Sequence, residues 1–109
     1  MQSFEMAFQQ WQAGEKRLAE APAPERPAVE RVVDRILAEL RRRLGGRFTA
    51  AELVALYDAG TSWCLDLAYR TEPEAPWAWD ERTVADAAFA RYLRGAVDFA
   101  GGRRLEAQP

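Results

Sequence analysis

The stretch "AAELVALYDAGTSWCLDLAYR", Ala50 to Arg70, decides how many helices this chain has and which of them sits at the centre. Its start is clearly marked. Thr49 stands where a helix N-cap belongs and Glu52 follows three residues later, the capping-box spacing in which each side chain bonds the other residue's backbone N–H. Phe48, just before the cap, is placed to staple against Leu53. Leu53, Leu56, Tyr57, Gly60, Cys64, Leu67 and Ala68 then fall on one face at helical spacing, backed by Val54, Trp63, Leu65 and Tyr69 on a second. Drawn unbroken, this is one helix with two faces to bury, which predicts that it is central. Gly60 is its weak point, since a mid-helix glycine costs about 1 kcal/mol. On the apolar face, however, a missing side chain lets a neighbouring helix come close, so a continuous helix is expected.

Were Gly60 a turn instead, the segment would be a helix-turn-helix. Its second helix should then offer polar side chains to the major groove and turn an aliphatic one inward about six positions after the glycine. That position is Asp66, and the outward set would be Ser62, Trp63, Cys64, Leu67 and Ala68, the reverse of the required chemistry.

Working outward, three more segments have helical periodicity. The first covers about 3–21, with Phe4, Phe8, Trp11 and Leu18 on one stripe, and ends in the proline-rich "APAPERP". The second covers about 27–44, where Val29, Val32, Val33, Ile36, Leu37, Leu40 and Leu44 form a nearly unbroken apolar face. Gly45 and Gly46 stop it, and Arg41, Arg42 and Arg43 suit the negative end of its dipole. The last covers about 81–100 after a cap at Asp80 or Thr83, apolar around most of its circumference, with Asp86, Arg91, Arg94 and Asp98 as a narrow polar strip. Its alanines, with Gly95, permit close helix packing. The expected fold class is all-α, a small up-and-down helical bundle of about four helices with helix three central. With 109 residues and 49% hydrophobic content, one helical domain is expected over 1–102, followed by a flexible tail over 103–109.

Composition narrows the function classes. A net charge of −2 gives no global attraction to nucleic acid or to an anionic membrane. No apolar run approaches the roughly 20 residues that cross a bilayer, so no membrane contact is expected. A lone cysteine, Cys64, forms no internal disulfide, and the amino terminus does not read as a secretory signal, which together predict a cytoplasmic protein. Lys16 is the only lysine among many arginines and alanines, a bias expected of a GC-rich bacterial genome.

The chain has no histidine, which removes the commonest general base and the favoured nitrogen ligand of zinc. Cys64 lies on an apolar stripe and reads as a core thiol. Glu72 with Glu74, and Asp80 with Glu81, read as capping and solvating charges of a connector. "RLGGRFT" lacks the Walker spacing and reads as a C-cap and turn. No enzymatic activity, no metal and no cofactor are therefore expected. The stretch "ILAELRRRLGGRFTAAELVALY", Ile36 to Tyr57, resembles the helix, turn and capped helix start of winged-helix repressors over about a fifth of the chain, a likeness that consists of the capping pattern.

Three features remain as candidate sites. From Arg26 to Arg47 seven arginines face three carboxylates, whereas from Asp66 to Asp86 six carboxylates face two arginines, so the molecule is expected to be electrically two-sided. The basic segment, with Arg41, Arg42, Arg43 and Arg47, is the candidate nucleic-acid patch; salt-bridged helix faces, with Glu30 to Arg26 and Glu39 to Arg35 or Arg43 at i,i+4 spacing, are the expected use of most of its charge. Trp77 and Trp79, separated by Ala78 in the connector "TEPEAPWAWDERT", either close the core or form, with Trp63, Tyr57 or Arg70, a contact surface for a protein partner or a small ligand. Helix one, on its proline-rich linker, packs on its own bundle or on a second copy. The sequence thus points to a non-catalytic interaction or self-association module, expected as a homodimer. A nucleic-acid-associated regulator and a ligand-sensing domain are the alternatives.

Overall fold

The structure, a computed structural model, describes residues 3–73, 81–96 and 104–106. Among these the elements run α1 (Phe4–Ala19), a 3-10 turn (Ala23–Glu25), α2 (Arg26–Leu44), β1 (Arg47–Phe48), α3 (Ala50–Asp58), α4 (Ser62–Thr71), α5 (Glu81–Arg94) and β2 (Leu105–Glu106). The fold is all-α with one two-residue antiparallel strand pair, Arg47 opposite Glu106 and Phe48 opposite Leu105.

The helix expected over 50–70 is two helices. Gly60 has φ +123°, a conformation that residues with a Cβ rarely adopt, and Thr61 and Ser62, both good N-terminal residues, restart the chain. The argument for a continuous helix fails on its own ground, because among the described residues a Cβ built at Gly60 would meet nothing within 4 Å. Upstream, the capping box is present as read: the Glu52 N–H donates to Thr49 Oγ1 at 3.1 Å and the Thr49 N–H donates to Glu52 Oε1 at 2.9 Å. Phe48 is fully buried and stacks on Tyr92, with ring centroids 5.3 Å apart.

The central element is α5, not the third helix. Val84, Ala85, Asp86, Ala87, Ala88, Phe89, Ala90, Tyr92 and Leu93 are all buried, so α5 is enclosed nearly all round, by α1, α2 and α4. Alanines at Ala85, Ala87, Ala88 and Ala90 give it a thin waist, as their sequence suggested, but the glycine that completes the close approach is Gly14 on α1. A Cβ there would lie 2.4 Å from the Cβ of Asp86. Helix α1 therefore packs on its own chain, burying Ala7, Trp11, Gly14 and Leu18 at spacings of four, three and four. Ser3 caps it, accepting from the Met6 N–H at 3.2 Å. Phe4 and Phe8 stack at the margin of the core, with centroids 5.8 Å apart.

Helix α2 ends on Gly45 at φ +73°, and lays Val29, Val32, Val33, Ile36 and Leu40 on the core. Each such side chain contributes roughly 1.5–3 kcal/mol of transfer free energy. The strand pair brings Leu105 to full burial, and Arg104 Nη1 donates to Glu52 Oε1 at 2.9 Å. The segment Arg104–Glu106, which falls within the tail read as flexible, is thus docked on the bundle. Gly95, Asp80 and the end of the last helix were assigned from the sequence to close packing, capping and residues up to 100. Gly95 follows the last residue of α5 and its N–H donates to Arg91 O and Tyr92 O, while Asp80 and residues 97–100 lie outside the described residues. No helix among the described residues is long and apolar enough to cross a membrane.

Candidate functional site

Between the C-terminal half of α2 and α4 runs a groove of about 300 Å³. The break at Gly60 builds it, since a helix restarted at Ser62 presents Trp63, Asp66, Leu67 and Arg70 to α2, which brings Glu39, Arg42 and Arg43 at i,i+3 and i,i+4 spacing. Two residue sets that the sequence offered for different purposes, Trp63 with Arg70 and Arg42 with Arg43, thus line the same groove. Arg41 and Arg47 do not line it: Arg41 is exposed on α2, and the Arg47 carbonyl accepts from Arg104 at 3.2 Å beside the strand pair. Trp77 and Trp79 lie outside the described residues.

Glu39 organises the arginines. Arg42 grips it in a fork, Nε to Oε1 at 3.0 Å and Nη2 to Oε2 at 2.5 Å, and Arg43 Nε donates to Oε2 at 2.8 Å. The hydrogen bond from Arg42, reinforced by that from Arg43, outweighs desolvation and holds the Glu39 carboxyl down at about 2. Glu39 is therefore ionised at any physiological pH. Arg43, anchored in this way, sits over the Trp63 ring with its guanidinium carbon 4.4 Å from the centroid, a cation–π contact. The indole Nε1 of Trp63 is buried and has no hydrogen-bond partner among the described residues. Arg70 stands at the open end, 3.8 Å from Asp66, with both side chains largely exposed. The result is a half-buried ring flanked by three guanidiniums and two carboxylates.

The two-sided charge expected from the sequence is partly cancelled within the molecule. Glu72, from the acidic segment, pairs with Arg31 of the basic one. Glu30 reaches Arg91 of α5 at 2.7 Å, not Arg26, whose Nε donates to the Ala21 carbonyl at 3.0 Å. Of the i,i+4 pairs expected, Glu39 with Arg43 forms.

A second polar constellation lies in the core. Asp86, read from the sequence as part of a narrow polar strip, is completely buried. Its Oδ1 accepts from the Tyr57 hydroxyl at 2.5 Å, and that hydroxyl accepts from Gln10 Nε2 at 2.8 Å. Its Oδ2 has no partner among the described residues. Burial pushes the Asp86 carboxyl up, against the hydrogen bond from Tyr57 and the positive field of Arg82. Burial, and then the same hydrogen bond, pushes the Tyr57 hydroxyl up as well. The Tyr57 ring that carries this hydroxyl packs with Trp11 and Phe89 at mutual centroid distances of 5.2–5.6 Å. A carboxyl without solvent exposure belongs to the packing of α1 on α5, where its Cβ faces Gly14. The signal available in the sequence was an aspartate flanked on both sides by alanines inside the otherwise apolar run 84–90. Cys64 is likewise fully buried.

Comparison of the chain with protein-family models, with curated proteins and with solved structures gives no match.

Proposed function

We propose that the chain is a non-catalytic protein–protein interaction module, and that the α2/α4 groove takes an acidic segment of a partner protein. The observation that carries the reading is the Arg43 guanidinium stacked over Trp63 in a groove that also holds Arg42 and Arg70. An aromatic anchor beside oriented arginines is the composition of interface hot spots, and arginine forks match carboxylates in geometry. Glu39 and Asp66 leave the groove only weakly positive, which suits a short peptide with a few acidic and apolar side chains better than a phosphate backbone. A bacterial, cytoplasmic setting is supported by the arginine-over-lysine bias and the single cysteine. For a homodimer there is less support: among the described residues the large apolar side chains well exposed are Met6 and Tyr69, because α1 covers its own bundle.

The test is titration of the full chain with a labelled peptide rich in Glu and Leu, alongside a lysine-rich peptide and a duplex oligonucleotide. Saturable binding of the acidic peptide, weakened roughly tenfold by Trp63→Ala or Arg43→Gln, is expected. Tighter binding of the oligonucleotide, falling steeply with salt, would transfer the groove to the nucleic-acid reading. Concentration-dependent sedimentation would restore the homodimer.

A further inference from the structure

A larger groove, about 640 Å³, lies on another side of the molecule between α1, the first turns of α2 and the last turns of α5. We infer that it binds a small organic dianion, a phosphate monoester or a dicarboxylate, whose apolar body lies against Leu18 and Val29. Its volume is in the range of small-molecule sites, roughly 300–1,000 Å³.

Four cations converge on it from three elements: Lys16 on α1, Arg26 on α2, and Arg91 and Arg94 on α5. Two carboxylates accompany them, Glu15 and Glu30. Each carboxylate orients an arginine without exhausting it. Glu30 takes two Arg91 donors, Nη1 at 2.7 Å and Nη2 at 3.3 Å, and Glu15 takes Arg94 Nη2. A guanidinium carries five N–H donors, so both retain donors for a ligand after these bonds are made. Their heads are held in place by contacts between helices, and the entropy of ordering long side chains is already spent before an anion arrives. Arg91 is two-thirds buried and Arg94 mostly exposed, which gives the groove one partly desolvated donor and one open to solvent. Lys16, exposed on the last turn of α1, adds an ammonium with three donors and is part of none of the ion pairs described. The cations surround a concavity instead of following a stripe, which selects a compact anion over a polymer backbone.

The experiment follows backbone amide shifts of the isotope-labelled full chain on addition of phenyl phosphate, of glutarate, and of sodium chloride at matched ionic strength. Saturable shifts at Leu18, Val29 and Arg91, with a Kd on the order of 1 mM or tighter, are expected for at least one of the two organic anions. The anion that binds names the source: phosphate monoester, dicarboxylate or both. Arg94→Gln is expected to weaken binding roughly tenfold, by removal of a charge-assisted hydrogen bond. Because that change leaves Glu15 without its arginine and could loosen the fold, Lys16→Gln, at an exposed position, is measured beside it with the same expected direction. Absence of saturation with both anions, chloride shifts of equal size, or affinity unchanged in both variants overturns the inference. The residues followed do not line the groove that holds Trp63, so failure here is distinguishable from failure of the peptide groove.

Discussion

Asp86 is where a single side chain tells most about the molecule. A carboxyl with no solvent exposure, one oxygen bonded to Tyr57 and the other without a partner among the described residues, is shifted toward its neutral form. Burial raises its folded-state pKa above the unfolded value of about 3.9. The proton is therefore held more tightly when folded, so the stability tied to it is fully present below the unfolded pKa and is lost as pH rises through the folded one. Asp86→Asn keeps an oxygen for the Tyr57 hydroxyl and cannot ionise. The variant is expected to be more stable than the native chain at neutral pH, by about 1.4 kcal/mol for each unit of the native shift, with the difference vanishing in acid. Urea denaturation across the acid-to-neutral range checks this, and an equal difference at all pH values would refute it.

At the scale of elements, two glycines exchanged the roles their neighbourhoods suggested. Gly60 was drawn on an apolar stripe and expected to admit another helix; it is a turn with open space around it, and its φ of +123° is what requires glycine. Gly14, among Ala13, Glu15 and Lys16, carries no local signal; it is a point where α1 approaches α5 closely. Gly14→Ala is therefore expected to destabilise by about 1–3 kcal/mol, because a Cβ 2.4 Å from the Asp86 Cβ forces the helices apart. Helix propensity argues the opposite, a gain of about 1 kcal/mol, so thermal denaturation separates the two effects by sign. The capping box at Thr49 and the glycine stop at Gly45 were legible because they are local, written in residues three or four apart. Trp63 and Arg70 were legible as candidates, but that they share a groove with Arg42 and Arg43 was not, because the groove exists only once α4 turns at Gly60 to face α2.

Across the whole molecule, ion pairs and a strand tie distant parts of the chain together. Glu30 with Arg91 and Glu15 with Arg94 fasten α5 to its neighbours, and Arg104 with Glu52 fastens the strand at 105–106 to α3. Exposed pairs of this kind contribute about 0–1 kcal/mol each, so it is Leu105, completely buried beside Phe48, that makes the C-terminal segment part of the fold. Leu105→Ala is expected to cost about 2–5 kcal/mol in chemical denaturation. A loss under about 0.5 kcal/mol, the scale of a surface substitution, would mean that the segment behaves as the flexible tail its composition suggested.

The sequence by itself determined the helical class, the glycine stop of α2, the capping box that starts α3, the apolar faces of α1 and α2 and the burial of Cys64. Each of these follows from periodicity and from contacts within one or two turns. Only the tertiary structure decided that α5 is central, that Gly14 and not Gly60 is the point of close approach, that Asp86 is sealed in the core, and that two arginine-lined grooves lie on different sides. The physical reason is that a helical pattern says which face wants burial but not against what. Two faces of equal hydrophobicity are ranked only when every helix competes for the same interior, and the enclosed position went to the helix whose alanines let neighbours come nearest.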